Sequence, residues 1–164
     1  MVSLRVLDEN DASDLAFLAN NINIWNNVRD YFPHPYSKED ADFFIDLCKK
    51  EKPQVTFAIE YKHKTCGVIG LVLQKDIYKH SAEIGYWIGE PFWGKGIATN
   101  AVKQMVEYAF QELKLKRIFA GIFEYNKASM RVLTKCGFQM EGISKKALIK
   151  NDGFWNEYRY AIVN

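Results

Sequence analysis

A chain of 164 residues that is 48% hydrophobic and 26% charged has ordinary globular composition and length enough to bury about 70% of its unfolded surface, which predicts one domain over 1–164. Twenty-two Lys and Arg against twenty Asp and Glu leave a net charge of +2, too near balance for the basic face of a sequence-independent nucleic-acid binder, so no direct nucleic-acid binding is expected. The longest apolar run, Gly67 to Leu73, falls far short of a membrane helix, and Asp8 and Glu9 arrive before a signal-peptide core could form; the expectation is a cytoplasmic protein with no membrane partner.

Leu4 to Leu7 reads as a strand, followed by a helix with Leu15, Leu18, Ala19 and Ile22 at helical spacing. Asn26, Asn27, Pro33 and Pro35 break the periodicity up to Tyr36. Ser37 is placed to cap a second helix running to about Lys50, with Glu39 and Asp40 in its first turn and Phe43, Phe44 and Leu47 expected to face inward. The period then changes to two, and Val55–Glu60, Cys66–Leu73 and Ser81–Ile88 read as an antiparallel meander. In the third run Glu83 falls on the sheet face opposite Ala82, Ile84, Tyr86 and Ile88.

After Pro91–Gly96 the pattern turns helical, with Ala98, Val102, Met105, Val106, Ala109 and Leu113 on one face. Arg117–Phe123 is a further strand, and parallel pairing with Ser81–Ile88 would make a right-handed crossover. Asn126 can cap the next helix, which Gly137 ends with Phe138 packing back on Leu133. A terminal hairpin, Ile143–Lys150 and Phe154–Val163, turns at Asn151-Asp152-Gly153, and Lys145, Lys146 and Lys150 read as a solvated basic patch. Cys48, Cys66 and Cys136 are an odd, dispersed set of reduced thiols, and His34, His63 and His80 lack ligand spacing, so no metal is expected.

The loop Trp93-Gly94-Lys95-Gly96-Ile97-Ala98 lies between a strand and a helix, where backbone N–H groups can converge on a phosphate; a tight turn that merely uses glycine dihedrals is the other reading. Neither nucleotide motif fits: Thr99 stands where a dinucleotide fingerprint has its third glycine, and Lys95 precedes Gly96 instead of a Ser or Thr.

Read together, Glu83-Ile-Gly-Tyr-Trp-Ile88, the 93–98 loop, and Asn126-Lys-Ala-Ser129 through Val132-Leu-Thr-Lys-Cys-Gly-Phe138 resemble the GNAT superfamily of acyl-CoA N-acyltransferases, most closely the branch acetylating ribosomal-protein N-termini. Similarity runs from Leu4-Arg5 through Tyr160-Ala161, nearly the whole chain. It implies an α+β three-layer sandwich, a mixed, mostly antiparallel sheet flanked by helices, with acetyl-CoA as co-substrate where two parallel strands splay. Cofactor contacts would fall on Trp87, Ile88, Gly89, Trp93, Gly94, Lys95, Gly96, Ile97, Ala98, Thr99, Asn126 and Ser129, with N–H groups around Trp87–Gly89 meeting the oxyanion. Trp93 departs from the usual Gln or Arg that opens the loop, and Leu148 stands where some ribosomal enzymes carry a candidate base Glu.

Glu83 is either the general base for the acceptor amine or a solvated strand carboxylate. Ser129 is either the proton donor to the departing thiolate or a locally satisfied first-turn serine, and it ranks above Tyr125. The expected activity is acetyl transfer to a primary amine, possibly a protein N-terminal α-amine, by an enzyme that is a monomer or homodimer. An antibiotic, polyamine or amino-acid acetyltransferase and a non-catalytic acyl-CoA-binding sensor are the alternatives.

Overall fold

The computed structural model describes residues 1–164. Seven strands form one sheet in the order β1-β2-β3-β4-β5-β7-β6, with β1 Val2–Arg5, β2 Thr56–Tyr61, β3 Lys64–Leu73, β4 Ser81–Ile88, β5 Arg117–Phe123, β6 Gln139–Lys150 and β7 Gly153–Val163. Five α-helices accompany them: α1 Ala12–Ala19, α2 Ile22–Trp25, α3 Lys38–Lys49, α4 Ile97–Gln111 and α5 Lys127–Lys135. The β1–β2, β2–β3, β5–β7 and β6–β7 ladders are antiparallel, and β4 pairs with β5 in parallel. No helix is long and apolar enough to cross a membrane.

The chain divides into two compact units, the first Met1–Gly70 with Tyr86–Ala101, the second Leu71–Gly85 with Val102–Asn164. In the first, Leu7, Ala12, Leu15, Ala19, Tyr36, Ala41, Ile45, Cys48, Ala58 and Val68 form a buried cluster that joins α1 and α3 to the sheet, with Phe32, Phe44 and Trp87 against its edge. The Ser37 hydroxyl takes the Asp40 N–H while the Asp40 carboxylate takes the Ser37 N–H, a capping box that starts α3 where the sequence predicts. The helix turns a different stripe inward from the one expected: Phe43 and Leu47 are 66% and 49% exposed, and Ala41, Ile45 and Cys48 are buried. Phe44, also expected to face inward, does pack against the cluster, so the expectation fails for Phe43 and Leu47 alone.

In the second unit, Ile118, Ala120 and Ile122 alternate as buried residues along β5, and Val102, Met105, Ala109, Met130 and Leu133 are the buried side chains of α4 and α5. Gly137, at φ +90°, ends α5, and Phe138 N–H returns to the Leu133 carbonyl at 3.0 Å. Asn151 and Asp152, both left-handed, turn the β6–β7 hairpin. Lys145 and Lys146 are exposed as expected, whereas Lys150 is only 2% exposed. It closes the hairpin opposite Gly153, its carbonyl takes the Trp155 indole N–H at 3.2 Å, and its side chain is buried instead of solvated.

Candidate active site

The parallel ladder between β4 and β5 has three rungs, Ser81↔Arg117, Ala82↔Ile118 and Glu83↔Phe119, although the strands continue to Ile88 and Phe123. Glu83 is therefore the last β4 residue held on that rung ladder. It is half-buried and shares its sheet face with Gly85 and Trp87.

At the far end of β4, Gly89 N–H donates to the Cys66 carbonyl at 2.7 Å. This commits the Gly89 amide to the sheet, removing it from the expected oxyanion donors. Because strand amides alternate in direction, the Ile88 N–H points away from β3. The Trp87 side chain packs edge-on against Phe32, with centroids 5.9 Å apart, so its ring belongs to the first unit's core.

The loop after β4 is held by Glu90, Asn21 and Asn23, which sequence reasoning did not single out, and by Trp93 and Lys95, which it did. Glu90 accepts from Asn21 Nδ2 at 2.6 Å and Asn23 Nδ2 at 3.2 Å, and these bonds hold its carboxyl below the usual carboxylate range. Trp93 Nε1 donates to the Ile88 carbonyl at 2.6 Å. Lys95 folds back, its ammonium 2.9 Å from the Pro91 carbonyl and 5.4 Å from the Phe92 ring centroid. Gly94 and Gly96 both sit at φ +73°, and a Cβ on either would meet no atom within 4 Å. The glycines satisfy the backbone while the space above them stays open. Ile97, 2% exposed, anchors the start of α4, with Ala98 and Thr99 half-buried in its first turn. The loop thus leads into the N-terminus of a 15-residue helix, where N–H groups and the helix dipole favour an anion.

The remaining residues lie at the end of β5. Asn126 Oδ1 accepts the Ser129 N–H at 3.2 Å, a side-chain cap that fixes the first turn of α5 and holds Ser129 half-buried within it. Just before the cap, Glu124 is clasped by Asn156 of β7, whose N–H donates to Oε1 at 3.1 Å and whose Nδ2 donates to Oε2 at 3.3 Å. Nothing local in the sequence signals that clasp, because the two residues are 32 positions apart. Tyr125 stacks on Phe123 at 5.1 Å and meets Trp155 edge-on at 4.9 Å, and burial pushes its phenol up. The predicted residues accordingly fall into two groups: Trp87–Thr99 in the first unit, and Glu83, Asn126 and Ser129 in the second.

An acetyltransferase (GNAT) domain family matches residues 2–139. The chain belongs to the GNAT acetyltransferases. A curated relative, the uncharacterized N-acetyltransferase YnaD of Bacillus subtilis, is 33% identical over 138 residues, 84% of this chain and 81% of the relative. The [Ribosomal protein uS5]-alanine N-acetyltransferase of Escherichia coli is 24% identical over 123 residues, 75% of this chain and 58% of that protein. The crystal structure of the Microcin C7 self immunity acetyltransferase MccE in complex with acetyl-CoA and AMP superposes with a TM-score of 0.85 at 29% identity, covering 99% of this chain and 92% of the other. The seven-stranded, mostly antiparallel α+β architecture is thus that of the GNAT acetyltransferases, and their ribosomal N-acetyltransferases are among the chain's relatives.

Proposed function

We propose that this GNAT acetyltransferase moves an acetyl group from acetyl-CoA to a primary amine, with a protein N-terminal α-amine as the favoured acceptor. The observation that carries the reading is the loop of Gly94 and Gly96, open above both Cα atoms and running into α4. Its fit to the pyrophosphate of CoA is chemical as well as spatial: the loop offers backbone N–H groups, and the carboxylate of Glu90, just before it in the chain, is engaged by Asn21 and Asn23.

In this reading Trp93, Gly94, Lys95, Gly96, Ile97, Ala98 and Thr99 hold the diphosphate, Asn126 and Ser129 serve the thioester end, and Ile88 supplies an N–H to the carbonyl oxygen. Glu83 accepts the proton of the acceptor amine, directly or through water, and Ser129 donates to the leaving sulfur. At neutral pH an α-amine, with a pKa near 8, is neutral far more often than a Lys near 10.4, which suits a single modest carboxylate base. Cys48, Cys66 and Cys136 as reduced thiols fit a reducing, cytoplasmic setting.

The test is CoA release by the purified protein with acetyl-CoA and, in turn, peptides beginning with Ala or Ser, spermidine and an aminoglycoside, followed by mass spectrometry of the product. Acetyl on an α-nitrogen is the expected outcome. Transfer only to a hydroxyl or a Lys side chain contradicts it, and calorimetric binding of acetyl-CoA without turnover identifies a non-catalytic sensor instead.

A further inference from the structure

The second unit has a sheet face on which two neighbouring strands each carry a glycine. Gly85 on β4 has open space above it, and Gly121 on β5 lies under a carboxylate: a Cβ there would stand 2.5 Å from Glu157 Cδ and 3.0 Å from Oε1, and would overlap Oε2. Phe119, Gly121 and Phe123 share one face of β5 by alternation, and the rungs Glu83↔Phe119 and Phe123↔Glu157 bring both glutamates to that face. Gly121 lies two residues beyond the Glu83↔Phe119 rung on the same face, so Glu83 and the Glu157 carboxylate over Gly121 both border it.

Glu157 is held in this posture. Its side chain is 17% exposed, and Arg159 Nη1 donates to Oε1 at 2.7 Å, leaving Oε2 as the oxygen turned over the Gly121 backbone. Arg159 in turn lies against the Phe119 ring, 5.7 Å from its centroid. A carboxylate fixed by one oxygen and turned over a glycine, between Phe119 and Phe123 on the same strand face, accepts hydrogen bonds from a donor that arrives at the sheet face.

Building on the acetyltransferase reading, we propose that Glu157 anchors the acceptor's ammonium group and so sets specificity for cationic amines, with Gly121 providing the space. The bound ammonium gives one proton to Glu83. The neutral nitrogen then forms the N–C bond as the C–S bond breaks, and its second proton goes through Ser129 to the thiolate, leaving amide and free thiol.

Steady-state kinetics test the assignment. Glu157→Gln, nearly isosteric, should raise the acceptor KM about tenfold or more, leave the KM for acetyl-CoA unchanged, and leave the rate with hydroxylamine, uncharged at neutral pH, within about twofold. Gly121→Ala keeps the carboxylate in the chain but displaces it, and should give the same split. Spermidine and an Ala-initiated tetrapeptide serve as the two ammonium sources, and a KM rise confined to one of them assigns the anchor to that class. An acceptor KM unchanged for both amines overturns the proposal, as does an equal loss with hydroxylamine, which marks a merely structural role. Absence of transfer by the parent chain to every amine overturns the acetyltransferase reading and this assignment with it.

Discussion

The indole N–H of Trp93 reaches back five residues to the carbonyl of Ile88 and ties the glycine loop to the end of β4. The resemblance leads one to expect a Gln or Arg at this place, and the tryptophan takes over as a clamp. Trp93→Phe keeps the ring but removes the donor, so it should cost about 1 kcal/mol of stability and weaken acetyl-CoA binding about fivefold. Thermal unfolding and calorimetry check the pair; unchanged values in both would make the bond incidental.

Gly96→Val addresses the cradle itself. At φ +73° a β-branched residue is strained and its side chain enters the open space, so the folded variant should lose acetyl-CoA binding altogether. The parent is expected to bind in the micromolar range, about −8 kcal/mol. Unchanged affinity in a folded variant removes the assignment.

Glu83 and Ser129 should separate by their pH signatures. Glu83→Gln should lower kcat by about 10² to 10⁴ at neutral pH with acetyl-CoA affinity intact, and the deficit should shrink at higher pH as the amine deprotonates unaided. Ser129→Ala should lower the rate without such rescue. A pH–rate profile of Glu83→Gln parallel to that of the parent rules out Glu83 as base and moves the search to the Asn156-clasped Glu124.

Sequence legibility divides between local and non-local features. The α3 cap at Ser37, the α5 cap at Asn126 and the turn at Asn151-Asp152 are short-range chemistry, readable from neighbouring residues and present in the structure. The inward stripe of α3 was readable only at Phe44, because Phe43 and Leu47 compete with Ala41, Ile45 and Cys48 and only the packing partner decides. Lys150 looked solvated because hairpin lysines usually are, yet its surroundings cover it. In the candidate site, the glycine loop was legible as a motif, whereas the placement of Glu157 over Gly121 depends on the β5–β7 register and leaves no trace in spacing.

Asp11, 3% exposed, accepts from both Arg5 Nη atoms at 2.9 and 2.7 Å, from Thr65 Oγ1 at 2.5 Å and from the Asp8 N–H at 2.9 Å. Burial pushes its carboxyl up, but the bonds from Arg5, Asp8 and Thr65 outweigh this and hold it below the usual range. Asp11→Asn should therefore cost about 3 kcal/mol at pH 7. A lowered folded pKa gives stability that is complete above the unfolded value, about 4, and is lost as pH falls through the folded value. The parent and variant should thus converge in acid; denaturant titrations showing a constant gap down to pH 2 would refute the linkage.

Thiol reactivity should be equally selective. Burial pushes Cys48 up to about 12 and Cys66 up to about 11 and raises Cys136 as well, against the pull of Lys103; access separates them, since Cys48 and Cys66 are buried while Cys136 is half-exposed. Iodoacetamide at mildly alkaline pH should label Cys136 alone in the folded protein, with Cys48 and Cys66 reacting only on unfolding. Equal labelling of all three under native conditions contradicts this.

The β6–β7 hairpin has a bearing on how the molecule behaves in a crowd. Strand β6 is the last of the sheet, and an outermost strand offers unpaired amides and carbonyls to any passing chain. Between Ser144↔Glu157 and Leu148↔Trp155, however, four steps on β6 answer two on β7, and Lys146 within this bulge is left-handed. Its N–H is spent on Asn156 Oδ1 at 2.9 Å, and Lys145 and Lys146 add charge at the same point. The sheet therefore has no flat, continuous margin on this side from which polymerisation by strand addition could begin.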